Sequence, residues 1–285
     1  MQNSEISQFA KLSKLALLQL SKWQGATVVV KYGGNAMITP NLTQNVMDNV
    51  RLLHQFGVKV VLVHGGGPEI AQGLKQIGKD SQFINGLRVT DQETMDIVVQ
   101  MLAGKVNKNL VSQLGSQGIG LSGVDMAMLV CKKIEAEFDI GFVGEIVAVN
   151  PKGIHFALTQ GLIPVISTIG TDENGTLYNV NADTATAAIA IAIKADKLVM
   201  MTDIAGLLRD SIDESTLISS VNIEDVSTLI TEGIISGGMV PKIQCCVEAV
   251  KAGVGEVAII DGRVENAILL EMLGKLGNGT RFFRN

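Results

Sequence analysis

Val28-Val29-Val30-Lys31-Tyr32-Gly33-Gly34-Asn35 and Val60-Val61-Leu62-Val63-His64-Gly65-Gly66-Gly67-Pro68 are two apolar runs that each stop in glycines. Short β-branched and aliphatic runs of this kind read as strands buried on both faces. A helix-like stretch follows each. A strand that ends in glycines exposes backbone N–H groups that no side chain covers. With the next helix N-terminus, those groups form an anion site. One such turn is an ordinary tight connection. Two on neighbouring strands hold a polyphosphate between them. Lys31 supplies a cation at the first turn. Lys242, in Gly237-Gly238-Met239-Val240-Pro241-Lys242, supplies another far along the chain. The pattern implies phosphoryl transfer from a nucleotide.

Outward from these turns, strand-like and helix-like runs alternate, which implies βαβ units and a mostly parallel sheet. Residues 28–31, 59–64, 119–121, 142–149, 163–166, 197–201 and 256–261 read as strands. Residues 45–56, 68–77, 182–194 and 241–252 read as helices, and 94–117 as one long helical stretch. Ile6, Phe9, Leu12, Leu15, Leu20 and Trp23 recur at helical spacing, so residues 1–24 read as an amphipathic helix before the first strand. A lobe boundary is placed near residue 195, dividing 25–195 from 196–285.

The chain has 285 residues, 47% hydrophobic and 18% charged, an ordinary globular balance. A net charge of −5 argues against nucleic acid as a partner, so an anionic substrate needs a local basic pocket. Three cysteines with no CxxC pair argue against zinc and against a disulfide framework. Lysines interrupt the apolar N-terminal stretch, which has no cleavage pattern and is too short for a membrane span. The expectation is a cytoplasmic chain, or one of an organelle matrix if organelle-encoded.

Other signals carry two readings. Gly118-Ile119-Gly120-Leu121-Ser122-Gly123 fits GxGxxG. It follows a helix and contains a strand, the reverse of the dinucleotide context. No GxxxxGK[ST] occurs, which excludes the P-loop class. His64 reads as a structural residue at a strand end, not a base. Lys31, costly to bury alone, snorkels to the sheet edge or meets a partner. Lys242, beside Pro241 at the positive end of a helix, is a surface lysine or one that faces an anion. Asp183, in Asn179-Val180-Asn181-Ala182-Asp183, is a natural N-cap or a carboxylate that holds both lysines. Arg88 reads as lying in a loop, Gly86-Leu87-Arg88-Val89-Thr90-Asp91, either solvated or forked on a substrate carboxylate.

Together with Lys31-Tyr32-Gly33-Gly34-Asn35-Ala36-Met37, Ser236-Gly237-Gly238-Met239-Val240-Pro241-Lys242 and Thr202-Asp203-Ile204-Ala205-Gly206-Leu207, these motifs resemble the acetylglutamate kinases of the amino-acid kinase family. The resemblance runs from about Gly25 to the C-terminus. It implies an α/β fold: a three-layer αβα sandwich with a central, mainly parallel sheet. The N-terminal lobe would bind N-acetyl-L-glutamate and the C-terminal lobe ATP, accompanied by Mg²⁺. By the same resemblance Lys31 and Lys242 stabilise the transition state and Asp183 orders them. Gly33 and Gly34 hold the phosphoryl group, and Gly66, Gly67, Arg88 and Asn179 hold the acid. Thr202, Asp203, Gly206 and Leu207 lie at the nucleotide. The acceptor carboxylate is already ionised, with a pKa of about 4.3, so no general base is required; magnesium often keeps water and phosphate oxygens, and no residue is assigned as its ligand.

Members with an added N-terminal helix are arginine-inhibited hexamers, built as trimers of dimers. The resemblance therefore implies a homo-hexamer with L-arginine bound near Glu271. Two departures stand out. Gly123-Val124-Asp125-Met126 is apolar where the family often carries a lysine and a glycine. Glu265-Asn266-Ala267 stands where regulated members usually carry a histidine. A kinase for a protected aminoadipate is a second enzymatic reading. A non-enzymatic amino-acid sensor is the third, and it would have lost Lys31, Lys242 or Asp183.

Overall fold

The computed structural model describes residues 3–37, 39–210, 212–274 and 279–285; Met1 and Gln2 of the expected first helix lie outside these, as do the side chains of Asn35 and Ala36. The chain opens with α1 (Asn3–Ser21), then β1 (Thr27–Tyr32), a 3₁₀ turn (Gly34–Met37) and α2 (Pro40–Gln55). There follow β2 (Lys59–His64), α3 (Gly67–Gln76) and a small hairpin, β3 (Phe83–Ile84) and β4 (Leu87–Arg88). The long helical stretch comprises α4 (Gln92–Val99), a π-helical segment (Gln100–Val106) and α5 (Asn107–Leu114). Next come β5 (Gly118–Ser122), β6 (Leu129–Lys133), β7 (Gly144–Val149) and α6 (Lys152–Thr159). Then come β8 (Ile163–Ser167), β9 (Ile169–Thr171), β10 (Leu177–Asn179), α7 (Ala182–Ala192) and β11 (Lys197–Thr202). The last part holds β12 (Ser220–Asn222), α8 (Val226–Thr231), α9 (Met239–Lys251), β13 (Glu256–Asp261), α10 (Ala267–Met272) and β14 (Gly279–Phe283).

Eight strands form one sheet in the order β12-β14-β13-β11-β1-β2-β8-β5. Every neighbouring pair is parallel except β13 with β14. Alternate residues of the central strands feed two cores. Val29, Val61, Val63, Leu198 and Met200 pack with α7 and α9 through Ala187, Ile189, Ile243 and Cys246. Val28, Val30, Val60, Leu62 and Val199 pack with α2, α5 and α10 through Met47, Leu53, Leu110 and Ile268. The sheet lies between two helical layers, the expected three-layer sandwich. A second sheet, ordered β10-β9-β6-β7, and the β3–β4 hairpin stand apart from it.

Three expectations change. The stretch 94–117 is not a uniform α-helix, because its middle turns widen into a π-helix. Arg88 lies on a hairpin strand, not in a loop. The helix expected from residue 241 starts at Met239, so Pro241 is its third residue, still in the first turn where helical N–H groups have no partner. The glycines of residues 118–123 serve packing. A Cβ on Gly120 would lie 2.1 Å from Asn107 Oδ1, and one on Gly123 2.4 Å from the Ile169 carbonyl.

Candidate active site

The two glycine turns meet at the C-terminal ends of β1 and β2, where the Gly65 N–H donates to the Tyr32 carbonyl at 2.9 Å. Gly34 has φ 72°, a left-handed conformation that glycine adopts freely. A Cβ on Gly33 would press on Lys31 Nζ at 3.3 Å, and one on Gly66 would strike Leu102 Cδ2 at 2.6 Å. Leu102 belongs to the π-helical segment, so that irregularity sets a wall of the site. At Gly66 a leucine already occupies the space a side chain would need, and at Gly34 the backbone conformation favours glycine.

Lys31, Lys242 and Asp183 converge. Lys31 is 8% exposed. Its Nζ lies 3.2 Å from Asp183 Oδ1 without hydrogen-bond alignment, and 3.4 Å from the Met201 carbonyl. Lys242 Nζ donates to Asp183 Oδ2 at 2.5 Å. Burial lowers the Lys31 pKa, helped by the second lysine and opposed by Asp183. Burial alone would raise the Asp183 pKa, but the two lysines outweigh it and hold the carboxyl below its usual range. Asp183 is not the cap of α7. Asn181 is, and its Oδ1 accepts from the N–H groups of Asp183 and Thr184 at 2.9 and 3.2 Å. The capping role thus falls to Asn181, which leaves the Asp183 carboxylate for the lysines.

A cavity of about 150 Å³ opens beside the second turn, lined by Gly65, Gly66, Gly67, Arg88, Asn179 and Asn181 among others. Arg88 Nη2 donates to the Gly67 carbonyl at 3.0 Å and Nη1 bonds Ser81 Oγ. Its guanidinium stacks on the Phe83 ring at 4.7 Å. Two of its five N–H groups are thus engaged among the described residues. Arg88 is the one charged side chain of this lining, and Ile70, Phe83, Leu102, Val143 and Val180 make much of it apolar. Gly86, Leu87 and Asn181 also border a larger cleft of about 680 Å³ that contains Asp183, Lys242 and Cys245.

His64 is fully buried and cannot meet a substrate. Its Nδ1 lies 2.8 Å from the Gly65 carbonyl and its Nε2 3.2 Å from Asn107 Nδ2. Burial pushes its pKa down to about 4. Neutral imidazole then donates through Nδ1 and accepts through Nε2.

Of the residues expected at the nucleotide, Thr202 ends β11 and Asp203 follows it, while Gly206 and Leu207 pack against β14. The Thr202 carbonyl accepts from Gly262 N–H at 2.7 Å, and Thr202 Oγ1 lies 3.4 Å from Asp203 Oδ1. Gly206 has φ 137°, and a Cβ there would lie 2.8 Å from Leu217. Leu207 is buried, and its N–H donates to Thr280 Oγ1 at 2.8 Å. Its side chain belongs to the core, and its carbonyl accepts from the Ile218 N–H at 2.8 Å, so both of its backbone groups already have partners. Glu271 is buried well away from the lysine pair, between Lys197 at 2.8 Å and Arg281 at 2.9 Å. Sequence reasoning missed Ser81, Phe83, Thr90, Leu102 and Asn181. Of these, only Asn181 carried a signal, as a polar residue just before an alanine-rich helix.

Residues 26–261 match the model of the amino acid kinase family. An acetylglutamate kinase of Actinobacillus pleuropneumoniae serotype 7 is 57% identical over 284 residues and covers 100% of both chains. One from Haemophilus ducreyi is 55% identical over 281 residues, 99% of each chain. One from Brachyspira hyodysenteriae is 46% identical over 288 residues, 100% of each. Among solved structures, an N-acetylglutamate synthase from Neisseria gonorrhoeae complexed with coenzyme A and N-acetyl-glutamate aligns with TM-score 0.84 at 24% identity. The match covers 97% of this chain but only 64% of the synthase. A carbamate kinase from Giardia lamblia bound to AMP-PNP aligns with TM-score 0.68 at 16% identity, over 92% of this chain and 99% of that one. At these identities the structural likenesses speak for the fold alone.

Proposed function

This chain belongs to the amino acid kinase family, and we propose that it carries the γ-phosphoryl group of ATP to the side-chain carboxylate of N-acetyl-L-glutamate, giving N-acetylglutamyl 5-phosphate. It is a phosphotransferase with a carboxyl group as acceptor, as its full-length relatives are, and phosphorylation of N-acetylglutamate belongs to arginine biosynthesis. The observation that carries the detailed reading is the Lys31–Asp183–Lys242 group beside a cavity charged only by Arg88.

The acceptor is ionised at neutral pH, so no base has to remove a proton. This agrees with a buried, neutral His64. Arg88 takes the α-carboxylate through its guanidinium, and Asn179 completes that end. N-acetylation removes the positive charge that free glutamate would bring into a cavity with no acidic lining residue. An unpaired ammonium there would cost several kcal/mol. The glycine N–H groups, including those of Gly33, Gly34 and Gly66, cradle the transferring phosphoryl. Lys31 and Lys242 neutralise charge as it develops. The co-substrate arrives as MgATP. Among the described residues no cluster of three or more His, Cys, Asp or Glu could hold a metal. Magnesium commonly keeps water and phosphate oxygens as ligands, which suits an ion that arrives with ATP.

On this reading residues 25–195 bind the acid and 196–285 the nucleotide, beside Thr202, Asp203, Gly206 and Leu207. An ADP-release assay with N-acetylglutamate, glutamate, aspartate and aminoadipate tests it. Equal turnover of free glutamate would refute the charge argument.

The proposal extends to assembly and regulation. Leu20 is buried and Trp23 Nε1 donates to the Met272 carbonyl at 3.1 Å, which fixes the end of α1 to the body. Ile6, Phe9, Leu12 and Leu15 of the same stripe stay exposed. A second copy would cover them, as in a hexamer of interlaced helices. L-arginine would inhibit from a cavity of about 340 Å³ beside Trp23, where Glu256 and Glu271 supply carboxylates. Lys197 bridges both carboxylates and Arg281 holds Glu271, so Glu256, half exposed where Glu271 is buried, is the more open of the two. Among the described residues no helix is long and apolar enough to cross a membrane. Deletion of residues 1–24 with mass measurement and arginine titration separates the claims. A dimeric full-length chain refutes the assembly. A hexamer indifferent to millimolar arginine refutes only the inhibition.

A further inference from the structure

We propose that Thr90 is a positioning residue that ties Arg88 to Asn179 and fixes which face of the Asn179 amide meets the substrate. The proposal rests on the reading of this cavity as the acetylglutamate site. Thr90 is fully buried and does not line the cavity. Its Oγ1 donates to the Arg88 carbonyl at 2.7 Å. Asn179 Nδ2 donates to the same Oγ1 at 3.1 Å. One hydroxyl thus joins the Asn179 side chain to the backbone of Arg88, whose guanidinium enters the same cavity.

The direction of these bonds follows from counting. A carbonyl only accepts, so the single hydroxyl proton goes to Arg88. The oxygen then offers lone pairs alone. Asn179 must turn its amide nitrogen toward Thr90. The amide orientation is therefore dictated by the chain, with Nδ2 held inward at one hydrogen. Its Oδ1 and second N–H are left in fixed positions for the ligand.

The backbone holds Thr90 in place independently. Its N–H donates to the Ile140 carbonyl at 2.9 Å, and its carbonyl accepts from Phe142 N–H at 2.6 Å. The Asn179 N–H in turn donates to the Phe142 carbonyl at 2.8 Å. Gly141 lies so close that a Cβ on it would sit 2.1 Å from the Thr90 carbonyl oxygen. Residues 140–143 thus bridge β4 and β10 and set the spacing that the hydroxyl spans.

Thr90→Val keeps the shape and removes the hydroxyl. The Asn179 amide then loses its reference and rotates between two orientations, one of them wrong for the ligand. The expected result is a rise of about tenfold in KM for N-acetylglutamate, roughly 1.4 kcal/mol. The KM for ATP and kcat should stay within about twofold. Thr90→Ser should restore near-normal KM. In an Asn179→Ala background, the Thr90→Val effect should vanish. An unchanged KM in Thr90→Val overturns the proposal. So does a Thr90→Ser variant as impaired as Thr90→Val, because packing would then be the cause. Undiminished Thr90→Val loss in the Asn179→Ala background overturns it as well, and this holds even if the single variants lose stability. A wild-type protein that fails to turn over N-acetylglutamate refutes the substrate itself, a result distinct from an active wild type indifferent to Thr90→Val.

Discussion

Replacing Asp183 by asparagine keeps the shape of the side chain and deletes the charge between two lysines. The Lys31 side chain is 10% exposed and the Lys242 side chain 13%. At 3.2 Å and an effective dielectric near 20, one Lys31–Asp183 pair is worth about 5 kcal/mol of gross attraction. Breaking a buried pair by removing one partner costs about 3–5 kcal/mol, because the other charge stays behind. Water reaches this site slightly, so the lower end applies, about 3 kcal/mol. That is a large share of a stability of about 5–15 kcal/mol. Lys31 would also lose the neighbour that opposes its burial, and its pKa would fall further. Urea unfolding followed by circular dichroism measures the loss, and ADP release measures kcat. Lys31→Met in the Asp183→Asn background should return part of the stability and none of the activity, since it removes the orphaned charge. The pH dependence has a definite sign. Asp183 has a lowered pKa in the folded chain. Its contribution is present above the ordinary carboxylate value of about 3.9 and is lost as pH falls through the lowered one. The gap between wild type and Asp183→Asn should therefore close in acid. An Asp183→Asn protein within 0.5 kcal/mol of wild type, roughly the spread of neutral surface changes, would show that the carboxylate does not hold the lysines.

Lys31→Ala and Lys242→Ala should each lower kcat far more than they raise KM for acetylglutamate, because their charges act on the transferring group; near-normal turnover in both would refute the mechanism. Arg88→Lys keeps the charge but loses the fork, and should raise KM for acetylglutamate about tenfold, roughly 1.4 kcal/mol, with little change for ATP. A shift in the ATP value alone would move Arg88 to the nucleotide side. His64, with a pKa of about 4 in the fold, takes up a proton more readily when unfolded. Stability should thus decline from about pH 6.5 to pH 4 by about 3 kcal/mol. A His64→Asn variant should lack that step, and an identical pH profile in both proteins would rule the residue out.

What could be read from the chain depended on range. The strands ending in Lys31 and His64 declare themselves, because a continuous β-branched run has no other stable use in an α/β protein. The strand 256–261 was legible to the residue for the same reason. β9, β10 and β12 have three residues each, too few to show a period. β14 begins at Gly279 and ends in Phe282-Phe283, and its antiparallel place beside β13 is a tertiary fact. The π-helical segment was invisible, since Gln100-Met101-Leu102-Ala103-Gly104-Lys105-Val106 fits an α-helix as well. Lys31, Lys242 and Asp183 were each ambiguous alone. Their convergence needs β1, α7 and α9 to lie together, and no spacing along the chain encodes that.

The position of the site follows from the order of strands. From β1 the sheet runs one way through β2, β8 and β5, and the other way through β11, β13, β14 and β12. Connections leave β1 and its neighbour in opposite directions, which opens a crevice at their C-terminal ends. Lys31 sits at that end of β1. The first half supplies Lys31 and the second half Lys242. Asp183 comes from α7, the helix that leads from one half into the other. Lys242 reaches its carboxylate only if α7 and α9 approach closely. Alanines make that approach possible: Ala185, Ala187 and Ala190 share a core with Ile243 and Cys246 of α9. Thr184 Oγ1 and Cys245 Sγ lie 4.0 Å apart, just beyond Asp183 and Lys242. The alanine content that marks residues 182–194 as helical in the sequence is, in the fold, the condition for the charged group to form. Larger side chains on that face of α7 would keep a helix and separate Lys242 from its carboxylate.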